Sequence, residues 1–276
     1  MSNSINVAIC QMMVGDDKEA NLQRAADMIK EASRKAKIIV LPEIFNAPYQ
    51  TDLLPDYAES IPGSSSRFLS AQAQTNKVLL IGGSIPEIDA AGKIYNSCCV
   101  FDHTGNMIAK HRKLHLFDID IPGKIVFKES DVFTAGKHLT FIDYQELRLA
   151  VLICYDIRFP EPARSLTLGG AQILFVPAAF NTTTGPAHWE LLMRTRALDN
   201  QLFVAAASPA RNPDSSYQAW GHSMIVDPWG RVIAEAQTGE EIVHAKIDLS
   251  LLPKIRQELP VLKHRRPELY KSFDAQ

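Results

Sequence analysis

The sequence predicts a mixed α/β sandwich, with two sheets packed face to face and helices outside. Apolar runs of strand length alternate with amphipathic helical segments early in the chain, and the last third turns to closely spaced strands and turns. No repeat, low-complexity stretch or linker breaks the 276 residues, so 1–276 reads as one domain. A hydrophobic share of 46% beside 22% charged residues supplies a sizeable core.

In chain order, residues 5–10 read as a buried strand. Residues 17–36 carry Leu22, Ala25, Ala26, Ile29, Ala32 and Ala36 at the spacing of one helix face. A second strand over 38–41 ends in Pro42-Glu43, and a helix over 66–75 leads to a strand over 78–84. Two strands flank the turn His103-Thr104-Gly105-Asn106. Residues 114–136 read as a long irregular loop, a length that inside a compact domain is usually functional. A helix over 163–168, a strand over 172–177 and a helix over 188–200 follow, the last with Glu190 and Arg194 one turn apart in the favourable order. Strands over 202–207, 221–227, 231–236 and 243–247 complete the chain, with Pro228-Trp229-Gly230 as a turn.

A net charge of −2 gives no reason to expect nucleic acid or an anionic membrane as partner. No apolar stretch reaches membrane-spanning length, and Met1-Ser2-Asn3-Ser4 lacks the basic flank and apolar core of a leader. Cys10, Cys98, Cys99 and Cys154 are too few for a disulfide framework and lack C-x-x-C spacing, which points to a reducing, cytoplasmic setting.

The stretch from Leu149 through Cys154-Tyr155-Asp156-Ile157-Arg158 to Glu161 is the most informative. An apolar strand stops at a cysteine, then come polar residues, a proline and a helix. Such a bend lifts a side chain clear of the sheet and turns helix-start N–H groups towards it, favouring a thiolate and offering an oxyanion site. The alternative is a buried structural cysteine. Three further residues share this placement or border the long loop. Glu43 ends an apolar strand, where desolvation raises a carboxyl pKa towards the range of a base. Lys113 closes the run Lys110-His111-Arg112, and Glu129 lies inside the loop. Strand-end acids and surface lysines are more often simply solvated.

Rival motifs fail. There is no G-x-S-x-G, P-loop, G-x-G-x-x-G or H-E-x-x-H. His111 and His115 have the spacing of a helical metal pair, but their surroundings read as strand and loop. The basic run suggests phosphate binding less than a charged strand end. His188 and His222 stay open as a base for the cysteine.

With these residues in view, the chain resembles the nitrilase superfamily of carbon–nitrogen hydrolases. Leu41-Pro42-Glu43, His111-Arg112-Lys113-Leu114-His115 and Ile153-Cys154-Tyr155-Asp156 match its Glu, Lys and Cys motifs, and its second glutamate falls on Glu129. The likeness runs from Val7-Ala8 to Arg265-Arg266-Pro267. It implies a four-layer α-β-β-α sandwich of two mixed sheets. Within the superfamily the ω-amidases are most similar, through Pro48-Tyr49, the segment from His115 to Lys124, the segment from Phe180 to Glu190, and Ala207-Ser208-Pro209-Ala210-Arg211. Leu152 departs from the glycine often found two residues before the cysteine, and the tail His264–Tyr270 also resembles the sister amidases of deaminated glutathione.

What the resemblance implies is amide hydrolysis without metal or organic cofactor. Cys154 is the nucleophile, Glu43 the general base and acid, and Lys113 with the Tyr155 backbone N–H the oxyanion site. Glu129 anchors Lys113. The implied substrates are α-ketoglutaramate and α-ketosuccinamate, with Arg158 for the distal carboxylate unless it pairs locally with Asp156 or Glu161. Tyr49, Phe180 and Thr184 line the pocket. The resemblance also implies a homodimer or higher homo-oligomer. The enzymatic alternatives are a deaminated glutathione amidase and an N-carbamoyl amine hydrolase. A catalytically silent binding protein is the alternative of another class, against which the intact set of four residues argues.

Overall fold

The computed structural model describes residues 4–123 and 125–270; Lys124 of the His115–Lys124 likeness and the N-terminal Met1-Ser2-Asn3 lie outside the described residues. The chain runs through β1 (Ser4–Gln11), α1 (Lys18–Ala32), β2 (Ile38–Val40), α2 (Ser64–Asn76), β3 (Leu79–Ile81), β4 (Ile85–Ile88), β5 (Ile94–Phe101) and β6 (Met107–Arg112). It continues with β7 (Asp118–Ile121), β8 (Ile125–Lys128), β9 (Thr140–Tyr144), β10 (Leu147–Val151), α3 (Pro160–Leu168), β11 (Ile173–Pro177) and α4 (Gly185–Asn200). The last elements are β12 (Phe203–Ala207), β13 (Met224–Val226), β14 (Val232–Glu235), β15 (Glu241–Asp248), α5 (Leu251–Glu258) and α6 (Pro267–Tyr270).

One sheet has the order β15-β1-β2-β3-β5-β4 with β6 on the other edge of β5, and the second has the order β14-β13-β12-β11-β10-β9. In each, the central strands are parallel and the outer pairs antiparallel. Strand alternation sorts the apolar residues of the first sheet between two cores. Val7, Ile9, Ile38, Val40, Leu79 and Ile81 face the core that also holds β10–β13, while Ala8, Cys10, Ile39 and Leu80 pack with Leu22, Ala25 and Ile29 of α1 and Leu69 and Ala73 of α2. On the far side Ala163, Leu166, Trp189, Met193 and Ala197 bring α3 and α4 onto the second sheet. The layers are therefore helix, sheet, sheet, helix, as expected. The same alternation sends Cys98 to the inter-sheet core and Cys99 to the helical one, so these adjacent thiols remain free.

Two expectations change. α1 ends at Ala32 because Arg34 and Lys35 turn back onto Glu31 and Ala32 with i→i+3 bonds, which still leaves Ala36 buried. Residues 114–136 are not an irregular loop. They contain the antiparallel hairpin of β7 and β8 and the 3₁₀ turn Glu129–Asp131. Among the described residues the hairpin pairs with no other strand; β7 alternates Asp118 and Asp120 with isoleucines, and β8 offers only the three-residue apolar run Ile125-Val126-Phe127, too short to announce a strand.

Candidate active site

The parallel strands of both sheets end at one place, where open α/β sheets bind their ligands. Glu43 follows β2, Lys113 follows β6, Glu129 opens the 3₁₀ turn after β8, and Cys154 opens a 3₁₀ turn (Cys154–Arg158) after β10. None of these four is more than 4% exposed.

Lys113 is their hub. Its Nζ donates to Glu43 Oε1 at 2.9 Å and to Glu129 Oε1 at 2.8 Å. Burial alone favours the neutral amine, but Glu129, Glu43 and Cys154 together outweigh it and lift the Lys113 pKa above its ordinary value. The side chain therefore stays an ammonium. Glu129 is held in turn by the Tyr49 hydroxyl and, through Oε2, by the Phe117 N–H at 2.6 Å.

Glu43 is loaded on one side. Its Oε1 accepts from Asn96 Nδ2 at 2.8 Å, Lys113 at 2.9 Å and the Tyr49 hydroxyl at 3.2 Å. Its Oε2 is buried and makes no hydrogen bond of ordinary geometry among the described residues. Burial raises the Glu43 pKa; Lys113 opposes that, Glu129 adds to it, and the nearby Cys154 thiol helps the ionised form, with a net upward shift. A buried oxygen left open on a carboxyl of raised pKa suits proton transfer.

The turn at Cys154 differs from expectation. Cys154 sits at φ 46°, a left-handed conformation that costs a non-glycine residue about 1–3 kcal/mol and recurs where a side chain must be aimed. Burial, then the Glu43 charge, push the Cys154 thiol pKa well above the ordinary value, and Lys113 and the Ala179 N–H pull it back only in part. The helix start is also displaced, because the 3₁₀ turn separates Cys154 from α3.

Residues 6–257 match the family model for carbon–nitrogen hydrolases. Over 97% of both chains, the sequence is 53% identical to omega-amidase NIT2 of Bos taurus and 51% identical to that of Homo sapiens. The crystal structure of Saccharomyces cerevisiae Nit3, a member of branch 10 of the nitrilase superfamily, superimposes with a TM-score of 0.88 at 45% identity, covering 95% of this chain and 97% of that one. The chain belongs to the carbon–nitrogen hydrolase family. It is an enzyme acting on carbon–nitrogen bonds.

In this hydrolase a narrow cavity of about 10 Å³ opens onto the cysteine, lined by Phe117, Cys154, Tyr155, Arg158, Phe180, Thr184 and their neighbours. Arg158 is not paired with Asp156 or Glu161. Its Nη1 donates to His188 Nδ1 at 3.0 Å, its guanidinium lies 4.7 Å from the centre of the Phe180 ring, and its buried Nε has no partner among the described residues. Thr184 bonds to Asn181 Oδ1 at 3.2 Å, and Tyr155 packs edge-on against Phe117. Tyr49, expected only to line the pocket, sits within the charged cluster as well, touching both glutamates.

Neither histidine offered as a base serves the cysteine: His188 holds Arg158, and His222 bonds to Glu235 and stacks on Trp220. His111 and His115 both turn to Asp156, so they form no metal pair, and no group of residues fit for a metal ion occurs among the described residues. Lys110 and Arg112 are taken up by Glu87.

Sequence reasoning missed Asn96, the Ala179 N–H and the task of Asp156. That last carboxylate, fully buried, accepts from the backbone of Ile153, Leu114 and His115 and from both histidine rings. It ties the residue before Cys154 to the two residues after Lys113. These bonds overcome burial and hold its pKa far below the usual carboxylate range. Its place within Cys-Tyr-Asp, and a lone amide within the apolar strand β5, were the available signals.

Proposed function

We propose that this hydrolase cleaves the terminal amide of short dicarboxylate monoamides, α-ketoglutaramate and α-ketosuccinamate, to the keto acid and ammonia. Arg158 carries the reading: a guanidinium with no acidic partner among the described residues shares a small cavity with the Cys154 thiol. A planar cation can grip a carboxylate with two parallel hydrogen bonds. The high identity to proteins called omega-amidase supports the same substrate class.

In the mechanism, Glu43 takes the thiol proton as Cys154 Sγ attacks the amide carbon. The Lys113 ammonium and the Tyr155 N–H stabilise the oxyanion, a contribution for which one lost donor typically costs about 10²–10³ in rate. Glu129 anchors Lys113 and holds the amide nitrogen. Glu43 then delivers its proton to that nitrogen, the C–N bond breaks, and ammonia leaves a thioester on Cys154. Water, giving its proton to Glu43, attacks the thioester carbon. Collapse of the second tetrahedral adduct breaks the C–S bond, releases the acid and returns the proton to sulfur. No step calls for a metal or organic cofactor.

Ammonia release from α-ketoglutaramate and from deaminated glutathione, measured side by side, tests the substrate. Preference for the second would replace this reading with that of the sister amidases. Arg158→Lys is expected to raise KM for keto-acid amides roughly 10–100-fold while sparing uncharged amides, since an ammonium cannot form the paired bonds. An equal loss on both substrates would make Arg158 structural.

The same reading takes the chain as one domain working as a cytoplasmic homodimer. Four cysteines without a disulfide fit a reducing compartment. Leu168, Leu191 and Leu198 stand exposed on α3 and α4, with Leu269 and Tyr270 on α6, which fits helical faces covered by a second copy. Sedimentation equilibrium is expected to give the dimer mass; a monomer at micromolar concentration would refute the pairing.

A further inference from the structure

We propose that Asn96 is a positioning residue that determines which oxygen of Glu43 carries out the proton transfers. This rests on the reading of Glu43 as general base and adds to it the group that orients the base.

Asn96 is on β5 and is 1% exposed. A carboxylate only accepts hydrogen bonds, so the 2.8 Å contact to Glu43 Oε1 fixes the amide with its nitrogen inward. The Asn96 carbonyl accepts the Lys113 N–H at 2.9 Å, so one residue holds both the base and the backbone of the cation beside it. Its own Oδ1 is buried without a partner among the described residues. A leucine of similar volume would leave no such unpaired acceptor, so the worth of the amide here lies in its nitrogen.

The other groups facing Glu43 come from every side: Lys113 at the end of β6, Tyr49 after β2, Glu129 in its 3₁₀ turn, Cys154 in the nucleophile turn, and Tyr217 ahead of β13. The single Tyr49 hydrogen is directed more closely at Glu129 than at Glu43. Asn96 and Lys113 are then the donors committed to Oε1, and Oε2 is the atom left to face the thiol. Asn96 is the one of the two that can be removed without deleting a charge.

A donor to the ionised form lowers a carboxyl pKa, so losing it raises that pKa. The acid limb of kcat/KM, which reports the free base, is expected to move up by about one unit in Asn96→Leu and Asn96→Ala, the scale of one charge-assisted bond. Kcat falls about 10–100-fold with KM little changed, and Asn96→Ser, which keeps a donor, recovers part of the shift. The pH dependence of Cys154 alkylation by iodoacetamide, itself a small primary amide, gives a second profile that requires no assumption about substrate. An acid limb that stays in place in both the leucine and alanine variants overturns the proposal, and the alanine variant keeps the test alive if leucine does not fold. Full activity in Glu43→Gln would instead remove the base assignment, a result separate from either outcome.

Discussion

Cys154→Ala is expected to lower kcat by at least about 10⁴-fold while the folded state survives, because the proposed covalent route depends on that one sulfur and alanine keeps a small apolar side chain in its place. Ammonia release at saturating substrate reads the loss, and circular dichroism with thermal melting reads the fold. Alkylation offers an independent check. Activity is expected to vanish in step with one alkyl group per chain, and saturating substrate is expected to protect it. The other thiols resist, since Cys10, Cys98 and Cys99 are packed inside the apolar cores, whereas a cavity opens onto Cys154. A variant within tenfold of the wild-type rate would remove Cys154 from the mechanism.

Lys113→Met carries the largest expected effect on stability as well as on rate. The methionine leaves Glu43 and Glu129 facing each other without a counter-ion in a place where all three side chains are wholly buried. Removing one partner of a buried ion pair typically costs about 3–5 kcal/mol. The loss is expected to depend on pH with a definite sign. Without Lys113, the folded-state pKa of Glu43 rises further above its unfolded value near 4.3. The native variant then binds more protons than the unfolded chain, so its stability falls as pH rises through that window and recovers towards acid. Urea titrations of both proteins at pH 5 and pH 8 measure this. A stability gap between variant and wild type that is equal at the two pH values, or wider at pH 5, would contradict the charged arrangement.

The residues most legible in the sequence share one physical signature. Glu43 and Cys154 each follow an apolar strand that stops abruptly, and a side chain at such a stop is placed at a sheet end whatever its chemistry. Central strands were equally plain, since Val7–Ile9 and Leu149–Val151 are buried on both faces and read as unbroken apolar runs. Edge elements were not. β4 contains Pro86, which argues against a strand even though it pairs with Asn96 here. β9 is half-exposed, and β7 alternates charge with isoleucine in a hairpin apart from the two large sheets. Asn96 was hidden for another reason. Its partner Glu43 is 53 positions away, and only sheet register brings the two together. The expectation that nearby N–H donors favour a thiolate left out desolvation and the Glu43 charge, both of which push the Cys154 pKa up.

A sulfur kept protonated until a carbonyl arrives is a poor target for peroxide, which attacks the anionic form. Because burial and the Glu43 charge push the Cys154 pKa up, inactivation by hydrogen peroxide is expected to be slow without substrate, and rapid loss of activity at neutral pH would reveal a standing thiolate.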